Sequence, residues 1–155
     1  IALINGEPDY MFPIFCLEGY RNGLKSGGPP FDPELVKEWR HQDIQLSSFQ
    51  QTLALMKLPQ PPTAILFHTE TAAGILQALK KINLKVGEDI SLVGYDDLEI
   101  AKTNIPPLTV IRPPGSNAGE QLVGMLMEVI NGRSPDELHK IWQAEMVLRQ
   151  STGTV

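Results

Sequence analysis

The residues of this chain best placed for chemistry sit where its apolar runs stop. Runs over residues 1–4, 35–36, 64–67 and 90–94 each give way to polar side chains, and the first of these are Asn5, the 40–43 stretch with Arg40 and Asp43, His68 and Asp96. These groups make a polar rim for a small molecule. An ionised carboxylate such as Asp96 accepts hydrogen bonds from two adjacent hydroxyls, which is what a sugar or ribose offers; its other reading is a carboxylate that ties down the neighbouring loop. His68 can donate or accept and changes charge near neutral pH, or it is a solvent-facing residue at a helix start. Trp39 and Trp142 could stack on a pyranose face or simply cover the sheet, Trp39 being nearer a strand's carboxyl end. Arg40 and Asp43 read either as polar contacts or as an exposed charge pair. Asn5 and Glu7 are rim candidates by position. Asp97, next to Asp96, reads as the cap of a short following helix.

The patterns of several reaction classes are missing. No glycines are spaced G-x-G and there is no G-x-x-x-x-G-K, so no loop is shaped to cradle a nucleotide phosphate, and no cofactor is expected. The strand–helix elbows read His68-Thr69-Glu70 and Asp96-Asp97-Leu98, without the serine that a G-x-S-x-G hydrolase needs. His41, His68 and His139 are isolated from one another, and Cys16 is the sole cysteine, so no metal site is expected and no internal disulfide can form. With 13 Lys plus Arg against 18 Asp plus Glu and a formal charge of −5, the chain carries no basic stripe for nucleic acid. No apolar run approaches the length of a membrane span.

Those rim residues need elements to hold them. The apolar runs read as strands, each followed by turn chemistry or an amphipathic helix. Helices are predicted over 13–25, 46–58, 70–82 and 98–102, and Asn117 with Glu120 resembles a capping box for a helix to about residue 130. Residues 108–112 and 144–148 complete the strands. Alternating strands and helices predict an α/β fold with a doubly wound parallel sheet, which binds ligands beyond the strands' carboxyl ends.

Three motifs, in order, add a resemblance: Val93-Gly94-Tyr95-Asp96-Asp97, Pro106-Pro107-Leu108-Thr109 and Leu148-Arg149-x-Ser151-Thr152. With Gly19-Tyr20 and Leu24, and with Phe49-Gln50-Gln51-Thr52, the chain resembles the effector-binding core of the lactose/galactose repressor family along its whole length. The resemblance implies the C-terminal lobe of a type I periplasmic-binding-protein-like fold, made by residues 1–112 and 141–155. Residues 113–140 would be crossover and a helix lent to a mostly absent N-terminal lobe, and the DNA-binding helix-turn-helix would lie upstream of Ile1. The helix's apolar residues Leu122, Leu126 and Val129 would then lack their platform, so that helix is expected to pack on a partner chain or to be poorly ordered. In the family the first Asp of Gly-Tyr-Asp-Asp faces the effector. His68 stands where the family usually has an asparagine, and Cys16 where it commonly has a clamping arginine. The family's aromatic stacker would fall near Asp43. A homodimer is implied through Ala73, Leu76, Gln77, Lys80 and Ile105.

The function expected is a cytoplasmic, non-enzymatic, ligand-sensing core of a transcriptional regulator that closes on a sugar-like effector. Its alternatives are a periplasmic sugar-binding protein of a transporter and an α/β enzyme with His68 as base and Asp96 as orienter. Cys16 reads as a small helix residue, with redox sensing as its second reading.

Overall fold

The structure, a computed structural model, describes residues 1–9 and 11–153 and every side chain within them except Ser116 and Asn117. The expected capping role of Asn117 therefore lies outside the described residues. Among those residues, six strands form one sheet. Strand β1 (Ala2–Asn5) lies between β2 (Val36–Glu38) and β3 (Ala64–His68), and β4 (Ser91–Tyr95), β5 (Thr109–Arg112) and β6 (Glu145–Val147) follow outward from β3. Neighbours from β2 to β5 are parallel, as the uniformly apolar runs predict.

Strand β6 is the exception, pairing antiparallel to β5 with Arg112 opposite Glu145. The doubly wound parallel sheet thus carries one antiparallel edge strand. Chain direction supplies the reason: helix α5 (Ser116–Ile130) leaves from the carboxyl end of β5, and the return segment enters β6 beside that same end, so β6 must run back.

The period of two along the strands divides the core. Ala2, Ile4, Ile65, Phe67, Leu92 and Val110 face helices α2 (Ile44–Leu55) and α3 (Ala72–Lys81), where they pack with Leu55, Ile75 and Leu79. Leu3 and Leu66 face the opposite way, toward Leu17, Tyr20 and Leu24 of helix α1 (Met11–Gly27). That second face is less covered: alternate residues of β3 and β4, among them Leu66 and Val93, remain half-buried. Helix α5 does not cover it. Leu122 and Leu126 are 54% and 58% exposed, while Trp142 donates from Nε1 to Gln121 at 3.0 Å and holds the return segment to the helix.

Local chemistry sets the element ends. Asp43 accepts from the Leu46 N–H at 3.1 Å as the cap of α2. Helix α1 stops at Gly27-Gly28-Pro29-Pro30, where the Gly28 N–H returns to the Leu24 carbonyl at 2.8 Å. Helix α3 lies hard against α2 because residue 74 is glycine. A Cβ there would sit 2.1 Å from Ser48 Oγ and 2.3 Å from the Gln45 carbonyl oxygen. Gly74→Ala is expected to force the two helices apart and to lower stability by about 1–3 kcal/mol, read as a lower urea midpoint.

Candidate functional site

The carboxyl ends of β1, β3 and β4 meet under the first turns of α1. Asn5 ends β1, His68 ends β3 in register with Tyr95 of β4, and Asp96 follows at once. Phe12 of α1 stands edge-on to His68 with ring centroids 4.9 Å apart, and its ring is also 4.9 Å from Tyr95. Beside them a cavity of about 830 Å³ runs along the α1 face of the sheet. Asn5, Phe12, Cys16, His68 and Tyr95 line it together with the apolar side chains of Leu3, Leu66 and Ile111.

The two adjacent aspartates do different work. Asp96 adopts φ +79°, unusual for a residue with a side chain, and that turn is held from both sides: its N–H donates to the Ile111 carbonyl at 2.9 Å, and its carbonyl accepts from Thr69 Oγ1 at 2.7 Å. Its carboxylate has no hydrogen-bond partner among the described residues, yet its charge reaches Cys16 and Tyr95 in the cavity wall. Asp97 is the reverse. Its side chain is 7% exposed, with Oδ2 accepting from Arg112 at 2.6 Å and Oδ1 from Arg149 at 2.7 Å. The expected capping role of Asp97 is thereby corrected: helix α4 (Glu99–Thr103) has Leu98 at its cap position and no side-chain cap. Two arginines outcompete the helix N–H groups for this carboxylate.

The remaining rim candidates divide by burial. Trp39 is 3% exposed and belongs to the main core, with its ring behind Gly6 and 4.6 Å from the His41 ring, so it has no free face for a sugar. Asp43 spends an oxygen on the α2 cap. Arg40 lines a separate depression with Glu7, Asp9, Lys37 and Glu38, and its N–H goes to Ser47 Oγ at 3.0 Å. Asn5 is buried and donates from Nδ2 to the Pro13 carbonyl at 2.8 Å, which fastens the end of β1 to the first turn of α1. Among the described residues, no group of His, Cys, Asp and Glu could hold a metal.

Phe12 and Tyr95 are rim residues that sequence reasoning passed over. The available signal was the spacing of Phe12, Cys16 and Tyr20, each four residues apart on one face of α1, which sets all three on the cavity. Burial pushes the Cys16 thiol up, and the Asp96 charge adds to the shift. The thiolate is therefore scarce at neutral pH, which argues against redox sensing.

The model of the periplasmic binding protein-like domain matches residues 3–152. The chain belongs to that family. Within it, the chain is similar to repressors of transcription. It is 29% identical over 154 residues to the HTH-type transcriptional repressor CytR of Escherichia coli K12, covering 98% of this chain and 44% of CytR. It is 33% identical over 133 residues to the ribose operon repressor of the same organism, covering 84% of this chain and 39% of that protein. The structure of the lac repressor dimer bound to operator and the anti-inducer ONPF superposes with a TM-score of 0.82 at 28% identity, covering 99% of this chain and 52% of that one. The chain thus spans about half the length, or less, of the relatives it matches. The family residues expected at a dimer face lie on the outer side of α3 and beyond it: Gln77 and Lys80 are exposed, Ala73 and Leu76 half-buried, and Ile105 is 94% exposed.

Two measurements test this electrostatic layout. Burial pushes the Asp97 carboxyl up, but hydrogen bonds and charge from Arg112 and Arg149 outweigh it and hold the group below the usual carboxylate range. A carboxylate so depressed contributes stability that is complete above its unfolded value and is lost as pH falls through the folded one. Urea midpoints should drop below about pH 5, and Asp97→Asn should remove about 1–3 kcal/mol at neutral pH and flatten that acid limb. Cys16, in turn, should react more slowly than free cysteine with a thiolate-dependent disulfide reagent at neutral pH, measured by thiol release.

Proposed function

We propose that this chain is the effector-binding part of a transcriptional regulator and that it holds a small polyhydroxylated effector, a sugar or sugar-like compound, at the strand-end rim. The Asp96 carboxylate carries the reading: it has no partner among the described residues and follows directly on Tyr95, which lines an aromatic-walled cavity. A lone carboxylate accepts two hydroxyl hydrogens, and the flat apolar faces of Phe12 and Tyr95 suit the C–H face of a sugar ring. His68 supplies the polar contact at the neighbouring strand end. The relatives named above are repressors, and the one thiol lining the cavity, Cys16, is held in its protonated form by burial and by the Asp96 charge.

Residues 1–112 and 141–155 form the C-terminal lobe, and residues 113–140 pass to a second lobe that covers Leu122 and Leu126 of α5. The effector acts by favouring one relative orientation of the lobes, and only the difference in its affinity for the two states moves that equilibrium. A helix-turn-helix outside this chain reads DNA. The regulator works in the cytoplasm as a symmetric homodimer through Ala73, Leu76, Gln77, Lys80 and Ile105.

A thermal-shift screen of the full-length protein against mono- and disaccharides tests the assignment. A bound effector at a hundredfold excess over its Kd adds about 2.7 kcal/mol, a rise of several degrees in melting temperature. That rise should vanish in Asp96→Ala. Hits that keep their full shift in this variant would place the effector elsewhere.

A further inference from the structure

Among the described residues, no lysine or arginine lines the cavity below the strand ends. The cations carried by the elements that frame it are engaged or turned elsewhere. Arg112, at the end of β5, binds Asp97 and Glu145 at 2.6 and 3.2 Å, and Arg149 gives its terminal nitrogens to Asp97 and to the Leu108 carbonyl. On α1, Arg21 lies over the Phe31 ring at 4.6 Å from its centroid, and Lys25 is exposed in the last turn. Lys37 and Arg40 line the separate depression beside β2. What remains at the rim is one unpaired anion. Asp96 follows Tyr95 without a hydrogen-bond partner among the described residues, and its charge reaches Cys16 and Tyr95, both on the cavity wall. The rings beside it present the same sign on their faces: Phe12 stands 4.9 Å from both His68 and Tyr95 by centroid.

We propose that this site selects its effector by charge: it takes sugars that are uncharged or carry an amine and excludes those that carry a phosphate or a carboxylate, with Asp96 as the specificity-determining residue. The inference rests on the effector reading above and narrows it. An anionic sugar brought to the rim surrenders hydration beside a carboxylate and meets no counter-ion, so its charge is opposed twice, by desolvation and by repulsion. A neutral sugar gives Asp96 two hydroxyl hydrogens and lays its C–H face on the rings without that cost. An ammonium group gains more, through an ion pair with Asp96 and the faces of Phe12 and Tyr95. The Asp97 clamp is part of the device. By holding Arg112 and Arg149 it keeps from Asp96 the two guanidinium groups that would neutralise it, so the adjacent aspartates together set the sign of the site.

Cys16 reports from the cavity wall, and methanethiosulfonates of different charge read the potential there without any sugar: the trimethylammonium-ethyl, methyl and sulfonatoethyl reagents. The rate at which each modifies Cys16 in the full-length protein is followed by mass spectrometry of its peptide at about pH 8, where an ordinary imidazole is uncharged, and divided by the rate on a free neutral thiol. The normalised cation-to-anion ratio is expected to be about tenfold or more, with the methyl reagent between, and Asp96→Asn should bring it to within about twofold of unity. A change in thiolate population alters the rates alike and cancels from the ratio. A ratio near one or in favour of the anion, a ratio that survives Asp96→Asn, or a Cys16 that none of the reagents reaches overturns the proposal. If the variant does not fold, the ratio in the unmodified protein still decides. Because no sugar is present, failure here is distinct from failure of the effector screen, which would overturn the proposed function instead; a sugar phosphate that stabilises the protein through Asp96 would overturn the charge selection alone.

Discussion

The Asp97 carboxylate, almost sealed from water and shared between Arg112 and Arg149, is the contact on which the site's geometry depends. It joins three separate stretches of chain: the end of β4, the end of β5 and the segment after β6. Arg149 also donates from Nη1 to the Leu108 carbonyl at 2.8 Å, and two residues on, Ser151 is inserted between β4 and β5, donating to the Leu92 carbonyl at 2.7 Å and accepting from the Thr109 N–H at 2.8 Å. With its neighbour clamped inward, Asp96 is left in a left-handed turn pinned by Ile111 and Thr69. One aspartate is thus spent on structure so that the other stays unpaired and its charge reaches the cavity wall. Breaking the clamp would cost more than one ion pair, because Asp97, buried, would lose both of its cations together.

Much of this was legible in the residues, and the parts that were not have identifiable physical causes. Uniform apolar runs ending in polar side chains located β1, β3 and β4 and their rim, because a strand covered on both faces cannot alternate. The Leu-Arg-x-Ser-Thr motif marked the family without showing why it is there. In the fold Arg149 and Ser151 serve Asp97 and the β4–β5 seam, a pairing across more than fifty residues that no local rule reaches. Local preference misled at Asp97, where an aspartate before a helix reads as a cap, and tertiary arginines won. At Asp43, read from the sequence as a polar contact or half of an exposed charge pair, the aspartate before α2 does form a cap. Trp39 was placed correctly near a strand end, but which way its ring faces is a matter of packing; it went inward behind Gly6. Phe12 and Tyr95 were not singled out, because composition does not separate a ring that lines a cavity from one that fills a core.

The sheet's two faces also differ in how completely they are finished. The face under α2 and α3 is dry and tightly packed, to the point that Gly74 admits no extra carbon. The face under α1 holds only a small cluster around Leu3, Tyr20 and Leu24 and leaves the long cavity open beside it. Rigidity on one side and open volume on the other suits a recognition site, since strand ends held by a packed core keep His68 and Asp96 in fixed relation while the cavity stays accessible.

A ligand at this rim would touch β1, β3, β4 and the start of α1, and would keep its opposite side in water. Such a half-site binds weakly, because the hydroxyls left outside gain nothing over their hydration, and the apolar rings bury only one face of the ligand. Any further affinity must come from groups brought over the exposed side. The contact that completes the site is then also the contact that distinguishes an open arrangement from a closed one, so tight binding and a shifted equilibrium are the same free energy counted once. Asp96 and His68 alone could hold an effector in either arrangement equally and would move nothing. In the function proposed above, their part is to orient the effector, so that its remaining hydroxyls face whatever closes over them.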